Sequence, residues 1–91
     1  MNTEFSKDYF IEAFLGLEKV AYTHSNQGVR TREFLLAFHN NRKVDVFGFV
    51  CLDLKLQKYV LYLLQCHVNY PHCIGEAFQE RLKNLSRFED M

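Results

Sequence analysis

The sequence has few of the features that mark secreted, membrane-spanning or nucleic-acid-binding proteins. Its three cysteines are an odd number, so they do not form a framework of paired disulfides, and we expect a reducing, cytoplasmic environment. The first residues lack the basic and apolar stretches of a signal peptide. No apolar run reaches the roughly 18 residues that a membrane span needs. Neither charge predominates, since 11 basic side chains balance 11 acidic ones, so a dedicated DNA- or RNA-binding module is not expected.

Glycine and proline are also scarce, and their scarcity excludes a common cofactor site. The four glycines, at positions 16, 28, 48 and 75, are isolated, so the sequence has no glycine-rich phosphate-binding loop. We find no highly specific motif for catalysis, a cofactor or a metal, and therefore predict a protein that is not an enzyme. What the chain does have is a hydrophobic fraction of 48% over 91 residues, which predicts one compact domain over 1–91.

The spacing of apolar residues predicts a mainly α fold, a small bundle of about four helices. Apolar side chains recur every three or four residues over 6–23, 54–68 and 72–88, as in helices that bury one face. Ser6 is a candidate N-cap for the first helix, and Asp53 is one for the second. Gly16 lies inside the first helix, where we expect it to let a neighbouring element approach closely.

The helix over 54–68 is predicted to be the most buried element. Its polar residues form one narrow stripe, and the remaining positions are nearly all apolar. The members of the stripe are Lys55, Lys58, Gln65 and Asn69. We therefore expect this helix to have contacts nearly all round.

The middle of the chain, residues 32–52, fits two structures. Composition predicts a loop over 23–30 and then a short helix from Arg32 to His39, with Thr31 as its N-cap. Alternation over 43–53 fits a strand, which could pair with 32–39 as a short β-hairpin. The same segment also fits a helix, because Val46, Val50 and Leu54 would then share one face.

A symmetric stretch around the single proline marks a corner between two helices. It places Cys66 and His67 before the corner and His72 and Cys73 after it. Tyr70 should end the preceding helix, because a residue before proline avoids helical dihedrals. Thiols and imidazoles are zinc ligands, but adjacent side chains diverge on a helix. The alternative chemistry is redox, since a cysteine in the first turn of a helix can become a thiolate.

A basic segment and an excess of aromatic residues are the other candidates for a binding surface. The segment 30–43 carries four cations against one acid, a rim that could contact nucleic-acid phosphates. Aromatic residues are enriched at protein interfaces, and 15% of this chain is aromatic. The candidate interaction residues are Tyr59, Tyr62, Arg30, Arg32, Arg42 and Lys43.

These features together predict a small intracellular, non-enzymatic adaptor or regulatory protein that acts through protein–protein contacts. The balanced charge removes repulsion between copies, so we expect a homo-oligomer, such as a homodimer. One alternative is a metal- or redox-responsive regulator that uses the Cys66/His67/His72/Cys73 corner. Another is a nucleic-acid-associated factor that uses the basic 30–43 rim, although the zero net charge makes nucleic acid the less favoured partner.

Overall fold

A computed structural model describes residues 5–40 and 42–90 of the chain. The helices in this part of the chain are α1 (Lys7–Ala21), α2 (Asn26–Asn40), α3 (Val46–Val50), α4 (Leu54–Asn69), α5 (Cys73–Ala77) and α6 (Gln79–Glu89). The mainly α prediction is confirmed. The β-hairpin over 32–52 is wrong, since the described residues contain no strand. Two of these helices are only five residues long, so a count of about four is slightly low.

α1 lies between α2 and α4 and carries much of the core. It begins as predicted, because the Oγ of Ser6 accepts a hydrogen bond from the Tyr9 amide at 3.2 Å. Phe14 and Leu17 on its inner face are fully buried. α6 packs on α2 and adds Leu82 and Leu85 to the same core. None of the described helices is both long and apolar enough to cross a bilayer.

The contact between α1 and α4 depends on a missing side chain. The ring of Tyr59 in α4 packs against Gly16, and a Cβ added at Gly16 would lie 2.5 Å from the Cε2 atom of that ring. The predicted close approach at this glycine is therefore confirmed, and Tyr59 is the residue that makes it.

α2 begins six residues earlier than the sequence predicted. The segment 23–30 is not a loop throughout, because the helix already starts at Asn26. Ser25 stabilises this start, since its Oγ accepts a hydrogen bond from the Gly28 amide at 3.0 Å. Thr31, predicted as the N-cap, lies inside the helix and is fully buried. Composition misled here because Asn and Gly are poor helix formers, and the cap and the packing of α2 on α1 override that preference.

Residues 46–50 form the short helix α3, so the helical alternative is confirmed and the strand is wrong. Asp45 caps it, with Oδ1 accepting a hydrogen bond from the Phe47 amide at 2.9 Å. Phe49 packs edge-on against Phe34, with ring centroids 5.8 Å apart. The helical turn pairs its own backbone groups, so α3 needs no neighbouring strand.

The corner forms where the sequence placed it, but the last helix is broken. Tyr70 ends α4 as predicted. Pro71 lies in the turn, and His72 adopts a left-handed conformation with φ of 71° immediately before α5. The predicted helix over 72–88 is interrupted at Phe78. The ring of Phe78 stacks on Phe14 in the core, with centroids 3.8 Å apart and planes at 5°.

Candidate interaction surface on α3 and α4

α4 has three distinct faces. Its inner face is buried in the core and includes Leu56, Tyr59, Val60, Leu63 and Cys66. A second face is the predicted polar stripe, whose four members are all exposed. The third face is apolar and also exposed, and it consists of Leu54, Leu61, Leu64 and Val68. The expectation that α4 is buried nearly all round is therefore wrong, because the bundle covers only one of its two apolar faces.

Three residues of α3 are also apolar and exposed, and one of them, Val46, lines a cavity together with Leu61 and Leu64 of the third face. The exposed fractions are 66% for Leu54, 54% for Leu61, 38% for Leu64 and 76% for Val68. In α3 they are 70% for Val46, 79% for Phe47 and 59% for Val50. We call these seven residues the α3–α4 surface. Fully burying one such side chain stabilises a protein by about 1.5–3 kcal/mol, so a set of them left in water is a candidate binding surface.

A groove runs along the α3–α4 surface. One cavity, of about 180 Å³, has only apolar lining residues, which are Phe34, Val44, Val46, Phe49, Leu61 and Leu64. A second cavity, of about 320 Å³, shares Phe34, Val44 and Leu64 with the first and extends to Arg42 and His67. The two cavities therefore adjoin, and together they form a groove between α2, the 42–45 segment and α4 that is apolar at its α3 end.

The charges beside this surface are of both signs. α4 contains Lys55 and Lys58 and no acidic residue, and Lys43 is exposed just before α3. Asp45 and Asp53 flank α3 on either side. Asp53 occupies the N-cap position of α4 as predicted, but its side chain makes no capping hydrogen bond.

The predicted basic rim has its arginines engaged in different parts of the fold. Arg32 is 9% exposed, donates hydrogen bonds to the carbonyl oxygens of Ala21 at 2.8 Å and Thr23 at 3.1 Å, and lies 5.2 Å from the Phe88 ring centroid. It therefore caps the C-terminal end of α1. Arg42 forms an ion pair with Glu89 at 2.8 Å.

Arg30 and Lys43, the other two residues of the predicted rim, differ in their exposure. The Arg30 guanidinium lies beside Gly48, close to where a Cβ there would stand. Lys43 is exposed. The structure thus buries Arg32 and pairs Arg42, so the four cations do not form one continuous row of free charges.

Both predicted tyrosines hold helices together. Tyr59 is 5% exposed, and its hydroxyl donates a hydrogen bond to Oε2 of Glu12 at 2.9 Å. Burial and the Glu12 carboxylate raise the pKa of Tyr59. The Tyr62 hydroxyl accepts a hydrogen bond from the Ser6 amide at 2.9 Å and donates one to the Ser6 carbonyl at 3.2 Å. Tyr62 thus fastens the start of α1 to α4, and neither ring forms part of the α3–α4 surface.

The Cys/His corner does not bring its four residues into a metal-binding cluster. The rings of His67 and His72 are 6.4 Å apart between centroids and nearly perpendicular. No group of three or more His, Cys, Asp or Glu side chains in the described part of the chain is placed to hold a metal ion. Burial raises the pKa of the Cys66 thiol and of the Cys73 thiol, which disfavours a reactive thiolate.

Sequence reasoning missed all seven residues of the α3–α4 surface, although a signal was present. The apolar positions of 54–68 occupy more of the helix circumference than one bundle contact can cover. A chain of 91 residues also has too little interior to bury both faces. An excess of apolar residues on a helix in a small domain is therefore the pattern that could have predicted an exposed stripe.

Comparison with known proteins gives one partial likeness. No family model matches the chain, and no solved structure matches it. The chain is similar to the general transcription and DNA repair factor IIH helicase/translocase subunit XPB of Dictyostelium discoideum, with 32% identity over 89 residues. This match covers 98% of the chain but 11% of that protein, so the chain spans about a tenth of the length of the curated relative that it matches.

Proposed function

We propose that the chain is a small intracellular, non-enzymatic adaptor or regulatory protein that binds a polypeptide through the α3–α4 surface. The observation that carries the proposal is the set of seven apolar side chains, each 38% to 79% exposed, beside an apolar groove. Contiguous exposed apolar surface on a small domain is typical of protein-binding sites. The three free cysteines are consistent with a reducing compartment.

The part of the groove nearest α3 fits an apolar side chain of a polypeptide better than a small molecule. Ligand pockets usually combine an apolar lining with a few convergent polar groups, and their volumes are about 300–1,000 Å³. The cavity nearest α3 is about 180 Å³ and has no polar lining residue. An apolar groove beside an exposed helical stripe is the arrangement that receives an amphipathic helix.

The likeness to the Dictyostelium protein supports a contact role. That protein is named as a subunit of a transcription and DNA repair factor, so it works within an assembly. It is also named as a helicase/translocase, but the match covers 11% of its length. The present chain has no glycine-rich loop of the kind that cradles nucleotide phosphates, so we propose a binding segment without motor activity.

Site-specific photo-crosslinking in the cells that express the protein tests this proposal. The variant Leu61→benzoylphenylalanine places the crosslinker on the α3–α4 surface, and Lys83→benzoylphenylalanine places it on the exposed side of α6 as the matched control. We expect discrete polypeptide adducts from position 61, either to a second copy or to another protein, and only background from position 83.

Two outcomes would overturn the proposal. Equal labelling at positions 61 and 83 would show that the α3–α4 surface binds no polypeptide. Adducts to nucleic acid in place of protein would favour the alternative of a nucleic-acid-associated factor, which the name of the Dictyostelium relative also suggests.

A further inference from the structure

The spacing of the exposed stripe on α4 indicates what covers it. Leu54, Leu61 and Val68 are seven residues apart, and Leu64 lies three residues after Leu61. In a heptad Leu54, Leu61 and Val68 take the a position and Leu64 takes the d position. The a and d positions are the ones that face a partner helix in a coiled coil. α4 is 16 residues long, so the stripe runs along nearly the whole helix. The stripe therefore fits another helix that lies alongside α4.

One position of the seam is polar. Gln57 takes the d position between Leu54 and Leu61, and its Nε2 donates hydrogen bonds to the carbonyl oxygens of Val50 at 3.2 Å and Leu52 at 2.9 Å. The Gln57 Nε2 group is therefore already paired within the chain, so this position adds no unsatisfied donor to the seam. The apolar contact beside it is extended by Val50, which is 59% exposed.

The charges that flank the stripe favour a second copy of α4 in parallel orientation. In the same heptad Asp53 is a g position and Lys58 is the e position five residues later. In a parallel pair of helices, a g residue of one lies beside the e residue five positions further along the other. A second copy of α4 would therefore place Lys58 beside Asp53 of the first copy, and the two-fold axis would repeat this pair. In an antiparallel pair Lys58 would lie beside Gln65, with no opposite charge.

Both charges are available for such a contact. Asp53 makes no side-chain capping bond, although it stands at the start of α4. Among the described residues, the ion pairs are Arg42 with Glu89 and Arg81 with Glu18, so neither Asp53 nor Lys58 is engaged in one. Both residues are exposed.

We propose that the occupant of the α3–α4 surface is a second copy of this chain, with the two α4 helices parallel and Asp53 of each protomer paired with Lys58 of the other. The inference rests on the proposed function, because it names the partner of the same surface. Zero net charge on the chain leaves no long-range repulsion to oppose the contact.

Sedimentation equilibrium and light scattering of the purified chain test this dimer. We expect a concentration-dependent dimer for the wild type. Leu61→Asp should raise the dissociation constant by at least about a hundredfold, because it places a charge in the seam. Asn69→Asp adds the same charge on the polar stripe of the same helix and should leave the dimer intact. Circular dichroism of each variant verifies that the fold is retained.

A charge exchange tests the parallel register. Lys58→Asp and Asp53→Lys each put like charges together, and each should raise the dissociation constant by about tenfold. The double variant restores opposite charges and should recover most of the wild-type affinity. Two results would overturn the proposed geometry. One is a dissociation constant that Leu61→Asp leaves unchanged, and the other is a double variant that binds no more tightly than the single variants.

A strict monomer at every concentration would overturn self-association itself. That result is separate from the photo-crosslinking experiment, which detects any polypeptide at position 61. A monomer that still crosslinks to another protein would leave the proposed function standing and this inference refuted.

Discussion

At the scale of single residues, the contact between Gly16 and the Tyr59 ring sets how closely α1 and α4 approach. The ring occupies the space that a side chain at Gly16 would need. The hydrogen bond from the Tyr59 hydroxyl to Glu12 holds the ring in this place, so it has little freedom to move aside. Gly16 therefore weakens α1 locally but allows α1 and α4 to pack closely.

We expect Gly16→Ala to lower the free energy of unfolding by about 1 kcal/mol. Overpacking a core contact costs about 1–3 kcal/mol, and the gain in helix propensity offsets about 1 kcal/mol of that. Urea unfolding measures the difference. Gly75→Ala is the matched control, because its Cβ would lie 3.4 Å from the nearest atom, the Phe38 carbonyl oxygen. This control should be neutral or stabilising, and a Gly16→Ala variant as stable as wild type would contradict the expectation.

Local rules predicted some residues well and others not at all. Ser6, Gly16 and Tyr70 were placed correctly, because capping, the lack of a side chain and the restriction before proline act within a few residues. Arg32 was misread as part of a rim, since its role depends on the Ala21 carbonyl and the Phe88 ring, which are distant in sequence. The charge of a residue can be read from the sequence, but a contact partner that is distant in the chain cannot be predicted from it.

At the scale of elements, α3 shows what holds a five-residue helix in place. Its C-terminal turn is held by two glutamine side chains from other helices. The Nε2 of Gln27 donates a hydrogen bond to the Cys51 carbonyl at 2.7 Å, and its Oε1 accepts one from the Asp53 amide at 2.9 Å. Gln57 in α4 donates two more hydrogen bonds through Nε2, to the carbonyl oxygens of Val50 and Leu52. The sequence left strand and helix open over 43–53 because these amide contacts come from outside the segment.

Removing the Gln27 amide should loosen α3 without unfolding the bundle. In Gln27→Ala the Cys51 carbonyl and the Asp53 amide lose a partner, so local opening of 46–52 becomes more frequent. Hydrogen exchange followed by mass spectrometry should show faster exchange over 46–52 and unchanged exchange in α1. Asn26→Ala, one residue earlier and exposed, serves as the control. Uniform acceleration through the whole chain would instead show that Gln27 supports global stability.

The boundaries and the polar stripe of α4 can be predicted from the sequence, but its buried face cannot. Its start, its end and its polar stripe follow from the sequence, because each depends on residues within the helix. Which of its two apolar faces the bundle covers does not follow, because that choice depends on where α1 lies. The same limit explains why the α3–α4 surface was missed, while the general prediction of contact through an exposed surface was made.

At the scale of the whole molecule, the fold holds several protons more tightly than the unfolded chain does. Burial is the main cause of a raised pKa at Cys66 and Cys73, whose ordinary value is 9.0, and at Tyr59, whose ordinary value is 10.0. A raised pKa favours the folded state fully below the ordinary value and progressively less as pH rises above it. Burial also raises the pKa of Tyr22, so these four groups make the fold weaker in alkali.

We expect the urea midpoint to fall between about pH 8 and about pH 10, measured with a reducing agent present. The fall should be smaller in the double variant Cys66→Ala and Cys73→Ala, which has lost two of the four groups. Cys51→Ala, at an exposed position, should follow the wild-type profile. Parallel profiles for the wild type and the double variant would show that the two thiols do not carry the effect.

The three faces of α4 also have a consequence for how the helix can change over generations. Positions on the polar stripe are less constrained by packing than positions on the core face. If the α3–α4 surface is bound by a partner, Leu54, Leu61, Leu64 and Val68 are constrained as well, despite their exposure to water in the single chain. Among related sequences, the core face and the exposed apolar face should then both change slowly, and the polar stripe should change quickly. If the surface is not bound, only the core face should change slowly.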